Sequence, residues 1–231
     1  MLGAALPHDG ALDMSADHQR DEASAAARHA LVGPADLWEM KRRFQIEFLR
    51  GMGLRQNHRL LDFGCGTLRG GIPLIDYLHS GRYTGVEVRP EVLAEGRREL
   101  AESGLAGKAA ELVHCERLAT LDLGRRFDVA WAFQVLIHID DALLDDVVAA
   151  VARHLHEEGV FYATVNVGNV ADGSWQGFPI VHREAAFYQA VFRGHGLAVV
   201  DIGPLTAFGH IHPRRSVADQ AAQRMLKATP A

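Results

Sequence analysis

The run Arg59-Leu60-Leu61-Asp62-Phe63-Gly64-Cys65-Gly66-Thr67 constrains this chain more than any other feature. An apolar strand ends in an acid and passes at once into a D-x-G-x-G turn. Glycines at Gly64 and Gly66 let the backbone approach a ligand that a side chain would keep away. In an open α/β sheet, ligands bind beyond the carboxyl ends of the strands, where the strand order reverses. The turn therefore marks both a fold and a place within it.

The rest of the chain alternates to match. Apolar runs at residues 59–63, 83–88, 111–115, 127–133, 160–167 and 197–202 read as strands. Helical periodicity covers residues 35–52, 68–78, 90–103, 142–155 and 183–193, with Pro90 suited to a helix start. Strands separated by helices of this length predict βαβ units, a mainly parallel sheet and helices on both faces, a doubly wound α/β fold. A chain of 231 residues fits one such domain, assigned to residues 31–231. Residues 1–30 mix Ala, Asp and His without sustained apolar period and read as a mobile tail with a short helix at 23–30. After Gly203 two readings stay open: residues 223–228 as an edge strand, or residues 217–225 as a helix.

Composition excludes several classes of function. The 24 basic and 29 acidic residues give a net charge of −5, which offers no attraction to a nucleic-acid backbone. No stretch approaches the ~20 apolar residues of a membrane span, and no basic-then-apolar leader opens the chain. The two cysteines, Cys65 and Cys115, do not make a disulfide framework. A cytoplasmic protein is expected.

A second acid sharpens the site. Tyr83-Thr84-Gly85-Val86-Glu87 ends the next strand 23 residues after Gly64, with Val88 following. A carboxylate there can accept both hydroxyls of an adenosine ribose. The glycine spacing, G-x-G-x-x-x-G over Gly64, Gly66 and Gly70, departs from the G-x-G-x-x-G that cradles a pyrophosphate. Asp62 beside the loop is unsuited to a pyrophosphate and suited to a cation. S-adenosylmethionine, with its ammonium and sulfonium, fits better than a nicotinamide dinucleotide.

The stretch LLDFGCGTLRGGIPLIDYLHSGRYTGVEVRPEVLAEG resembles the cofactor-binding half of class I S-adenosylmethionine-dependent methyltransferases, closest to a bacterial group with L-R-G-G after the GCG turn. A weaker likeness runs from Leu37 to Val167 and includes Gln45, Leu49, Gly53 and Leu54 ahead of the first strand. The resemblance implies a seven-stranded sheet whose last strand is antiparallel. It implies cofactor contacts at Asp62, Gly64, Cys65, Gly66, Thr67, Glu87 and Val88, and in the loop after the third strand. That loop reads His114-Cys115-Glu116-Arg117 where many members carry Gly-Asp, leaving Glu116 or a backbone carbonyl for the adenine amine, with Arg117 beside it.

The acceptor side is read from fewer signals. Arg69 in the first turn of a helix opposes the macrodipole unless it pairs with Asp62, Glu87 or the methionine carboxylate, and it is assigned to the cofactor's amino-acid end. Phe133 and Gln134 follow the fourth strand and are placed near the sulfonium and adenine. His138, five residues past Phe133, is the candidate to orient or deprotonate an acceptor. Residues 166–182, with Trp175, Gln176 and Phe178, look like a substrate loop. His210 and His212 lack a third ligand at metal-site spacing and read as a solvated pair on one strand face, so no metal is expected. The function so read is methyl transfer to an O, N or C nucleophile of a small molecule. A non-catalytic adenosylmethionine-binding partner and a nicotinamide-dependent oxidoreductase are the rivals.

Overall fold

Residues 26–168 and 171–231 are described by a computed structural model. The strands are β1 (Leu60–Phe63), β2 (Tyr83–Glu87), β3 (Glu111–His114), β4 (Phe127–Ala132), β5 (Leu155–Asn166), β6 (Gly173–Trp175), β7 (Phe178–Ile180), β8 (Leu197–Pro204) and β9 (Gln223–Pro230). Seven of them join in the order β3-β2-β1-β4-β5-β9-β8, and β6 and β7 form a separate hairpin. Strands β1 to β5 are parallel, and β9 runs antiparallel between β5 and β8. The order reverses between β1 and β4, where a ligand crevice belongs.

The principal helices are α1 (Trp38–Gly51), α2 (Gly71–Tyr77), α3 (Pro90–Glu102), α4 (Asp141–His154), α5 (Ala185–Gly194) and the short α6 (Val217–Gln220). Alternation along the strands sorts two cores. Leu61, Phe63, Ala130 and Phe161 face Leu144, Val148, Tyr188 and Phe192 of α4 and α5. Leu60, Val129, Trp131 and Tyr162 face Phe44, Phe48, Leu74 and Leu93 of α1, α2 and α3. Both sheet faces are covered, which is the doubly wound arrangement expected.

Four boundaries differ from the sequence reading, each for a local reason. The helix expected from residue 68 starts at Gly71, because Leu68 takes a left-handed φ of 63° in the turn that leaves the glycine loop. β5 begins at Leu155, where it already pairs with Phe127. The C-terminal strand is interior rather than at an edge: Met225, Leu226 and Ala228 are buried between β5 and β8, and only Val217–Gln220 is helical. Residues 26–30, assigned to the tail, are helical and packed: Arg28 meets Glu95, Glu99 and Glu102 of α3, and the His29 ring stacks on Trp38 at 3.5 Å. The remainder of the tail reading, residues 1–25, lies outside the described residues.

Candidate active site

A cavity of about 530 Å³ opens where β1, β2 and β4 end, with Asp62, Gly64, Cys65, Gly66, Glu87, Phe133 and Gln134 in its wall. The glycine loop is shaped by two left-handed residues, Gly64 at φ 66° and Gly66 at φ 59°. A Cβ on Gly64 would lie 2.5 Å from a Val135 methyl, and one on Gly66 would lie 2.9 Å from a Val32 methyl. The loop is thus closed on one side by the segment after β4 and on the other by the chain preceding α1.

The two acids of the wall are held differently. Asp62 Oδ2 accepts from the Tyr83 hydroxyl at 2.6 Å. Burial pushes its carboxyl up to about 7; the Tyr83 hydrogen bond opposes this, Glu87 adds to it, and Arg69 opposes it from a distance. Glu87 accepts the Gly66 amide at 3.1 Å on one oxygen and the Val88 and Arg89 amides at 3.0 and 3.1 Å on the other. It therefore ties the glycine loop to the end of β2.

Arg69 lies in the wall but pairs with neither acid. Its Nη1 donates to the Val32 carbonyl at 2.9 Å, its guanidinium sits 5.8 Å from the Trp38 ring, and its Nε is buried without a hydrogen-bond partner. Cys65 and Val88 also line the cavity, and burial raises the Cys65 thiol well above its ordinary range. Thr67 is buried beneath the loop and outside the lining. Glu116 and Arg117 are exposed and outside it as well; Glu116 faces His114 at 3.7 Å, and the wall there is formed by Leu118. No side-chain acceptor from that loop reaches the cavity among the described residues.

On the other side, Phe133 stacks parallel on Trp131 at 5.6 Å. Gln134, in a left-handed conformation at φ 58°, gives its amide to Thr164 Oγ1. His138 lies at the end of the 3-10 turn Leu136–His138, and its Nδ1 is 2.8 Å from the Pro179 carbonyl of β7. A carbonyl only accepts, so Nδ1 carries the hydrogen and the neutral ring keeps its lone pair on Nε2. Burial lowers the His138 pKa; the Pro179 bond opposes this, while Lys41 and Arg89 add to it. Asp140 and Asp141, close in sequence, turn elsewhere: Asp140 caps α4 on the Leu143 amide, and Asp141 pairs with Arg183 at 2.7 Å. The expected substrate loop contains the β6–β7 hairpin, whose Trp175 and Phe178 rings flank His138 at 5.7 and 6.5 Å. Arg89 lies 5.1 Å from the Phe178 ring and links the hairpin to the end of β2.

His210 and His212 do not form the solvated pair expected on a strand. They follow the 3-10 turn Leu205–Phe208, and His210 is buried edge-on against Phe44 and Phe133 with its Nε2 unpartnered. Burial drops its pKa to about 4, so the ring is neutral. Sequence reasoning missed Lys41, whose Nζ donates to Gln134 Oε1 at 2.6 Å inside the cavity. The signal was present: Lys41 and Gln45 fall in the same buried stripe of α1 as Trp38, Phe44 and Phe48, and a charge on an apolar stripe asks for a reason.

Comparison with known proteins accords with this geometry. Residues 61–161 match a family model described as a methyltransferase domain. The match spans less than half of the chain. The fold is that of class I methyltransferases, as three solved structures show. A glycopeptide N-methyltransferase, MtfA, solved with sinefungin, is 15% identical and superposes with a TM-score of 0.62 over 81% of this chain and 92% of that one. An S-adenosylmethionine-dependent methyltransferase from Clostridium acetobutylicum is 14% identical, TM-score 0.63, over 94% and 99% of the two chains. The CcbJ methyltransferase from Streptomyces caelestis is 17% identical, TM-score 0.62, over 81% and 95%. A search of curated proteins finds no match. No helix among the described residues is long and apolar enough to cross a membrane.

Proposed function

We propose that the protein is an S-adenosylmethionine-dependent methyltransferase that methylates an O, N or C nucleophile of a small molecule. The observation that carries this reading is Asp62, a buried acid beside the glycine loop with one hydroxyl partner and no ion pair among the described residues, its carboxyl pushed up to about 7 by burial. A cationic amino-acid ligand supplies a cation for it; a pyrophosphate would meet a like charge. Several solved neighbours are described with adenosylmethionine, adenosylhomocysteine or sinefungin bound, in keeping with this choice.

Each wall residue then has a task. Asp62 takes the ammonium, Arg69 the methionine carboxylate through its unpartnered Nε, and Glu87 the ribose hydroxyls with its remaining lone pairs. Gly64, Cys65, Gly66, Val88, Phe133 and Gln134 enclose the nucleoside and sulfonium. The cofactor supplies an electrophilic methyl group; the chain's work is to place the nucleophile in line with it and exclude water. His138, with Nε2 free, orients the acceptor or takes its proton. Calorimetric titration with adenosylmethionine, adenosylhomocysteine, NAD and NADP tests the reading. The first two should bind and the nicotinamides should not; nicotinamide binding without adenosylmethionine binding would overturn it.

A further inference from the structure

Lys41 is an uncommon residue to find on the buried face of α1. It is 7% exposed, and its Nζ meets one acceptor, the neutral Gln134 side chain. No carboxylate comes within ion-pair reach of it among the described residues. The acid that acts on it, Asp36, is itself paired with Arg214 at 2.7 Å. A buried ammonium without a counter-ion is costly. Its other charged surroundings make this worse: Arg69 and Arg215 both oppose its charge, and together with burial they bring its pKa down to about 7.

The distribution of charge around the cavity says which ligand is missing. Among the described residues Asp62 and Glu87 are the only acids in the lining, and both stand on the wall of the glycine loop. Arg69 stands between the two parts of the lining: it acts on Asp62 and also on Lys41 and His210, and its Nη1 and the Lys41 Nζ both approach Gly33. Lys41 opposes protonation of His138, His210 and His212. Beside it, His210 is 3% exposed with a bare Nε2, and Arg215 and His212 close the same wall. Around Lys41 the lining holds cations and imidazoles with no acid among the described residues within ion-pair reach, and the carboxylate of the proposed cofactor is taken by Arg69. Phe44 and Phe133, whose rings meet His210 edge-on at 5.1 and 5.6 Å, give it apolar flanks.

We propose that the methyl acceptor is a small carboxylic acid whose carboxylate pairs with Lys41, with His210 and Arg215 completing the anion site. This rests on the transferase reading above and adds the chemical class of its substrate. The anion would neutralise Lys41 in place, and the aromatic flanks favour an acid carried on a planar ring.

Benzoate and its neutral isostere benzamide are the probes, used on protein saturated with adenosylhomocysteine. The chain has only three lysines, Lys41, Lys108 and Lys227, so isotopically labelled lysine side chains can be followed individually by NMR through a pH titration. Benzoate should bind and raise the Lys41 midpoint by about one pH unit, and benzamide should do neither. Lys41→Met should weaken benzoate at least about tenfold while adenosylhomocysteine affinity stays within about threefold, and Lys41→Arg should restore most of the benzoate binding. Because Lys41→Met removes a buried unpaired charge, it should fold at least as stably as the parent. An unmoved Lys41 midpoint, equal binding of benzamide, or a Lys41→Met variant that loses adenosylhomocysteine instead would overturn the proposal. If the parent protein fails to bind adenosylhomocysteine at all, it is the transferase reading that falls.

Discussion

Asp62 and Glu87 share a cavity wall, yet their surroundings assign them different energetics. Glu87 accepts three backbone amides and lies 3.4 Å from Arg89 Nε, whereas Asp62 has one hydroxyl partner and a carboxyl pushed up to about 7 by burial. The stability consequence has a definite sign. The folded-state pKa is raised above the ordinary 3.8, so as pH rises from about 4 the unfolded chain releases this proton before the folded one does. The group therefore subtracts stability increasingly up to about pH 7 and by a constant amount above it. Asp62→Asn keeps an acceptor for Tyr83 and removes the penalty. Its melting temperature should match the parent near pH 4 and exceed it at pH 8, with adenosylhomocysteine affinity lost at pH 8; scanning calorimetry and titration at the two pH values check this. A melting advantage that does not grow with pH would mean that Asp62 is ionised in the folded protein throughout.

At the scale of elements, what could be read from the sequence was what the backbone itself requires. The β1 turn needs glycine where φ is positive, and the apolar runs of β1, β2 and β4 need helices on both faces, so these were legible in residues alone. Lys41, Arg89 and Val32 reach the site because α1, the end of β2 and the chain before α1 fold over it, and local spacing carries no record of that. Residues 26–30 belong to the short helix expected at 23–30, and although they lack an apolar period an ion cluster docks them. Arg28, almost fully buried, reaches Glu99 and Glu102 at 2.6 and 2.7 Å and Glu95 at 3.3 Å. This clamp holds the segment whose Val32 carbonyl fixes Arg69 and whose Leu31, Val32 and Gly33 line the cavity. In Arg28→Ala the glutamates on α3 remain near solvent and can be hydrated, so the loss should stay local. Amide exchange over residues 26–34 should rise and adenosylhomocysteine affinity should fall, with little change in melting temperature. Equal acceleration across the whole sheet would show that Arg28 supports the fold and not the cavity wall.

For the molecule as a whole, the C-terminal strand decides whether the sheet exists. The last residues gave two readings because Gln223-Arg224-Met225-Leu226-Lys227-Ala228 is short, mixed in polarity and preceded by an Ala- and Gln-rich run that suits a helix equally well. Strand identity there comes from two partners far away in sequence: β9 matches residues 161–166 of β5 on one side and residues 197–204 of β8 on the other. Those ladders satisfy its backbone on both edges and bury Met225 and Ala228 completely. Chain ending at Ala222 would leave β5, the most central long strand, with an open edge, and would cut β8 off from the sheet. An open apolar edge of that length invites pairing with other chains. Truncation after Ala222 should therefore abolish the cooperative thermal transition and drive the protein into aggregates, although it removes only nine residues. It should do so without touching Asp62, Glu87 or the glycine loop, because β1, β2 and β4 have no pairing with β9. A truncated chain that stays monomeric, melts cooperatively and still binds adenosylhomocysteine would show that the first five strands and their helices suffice as a folding unit.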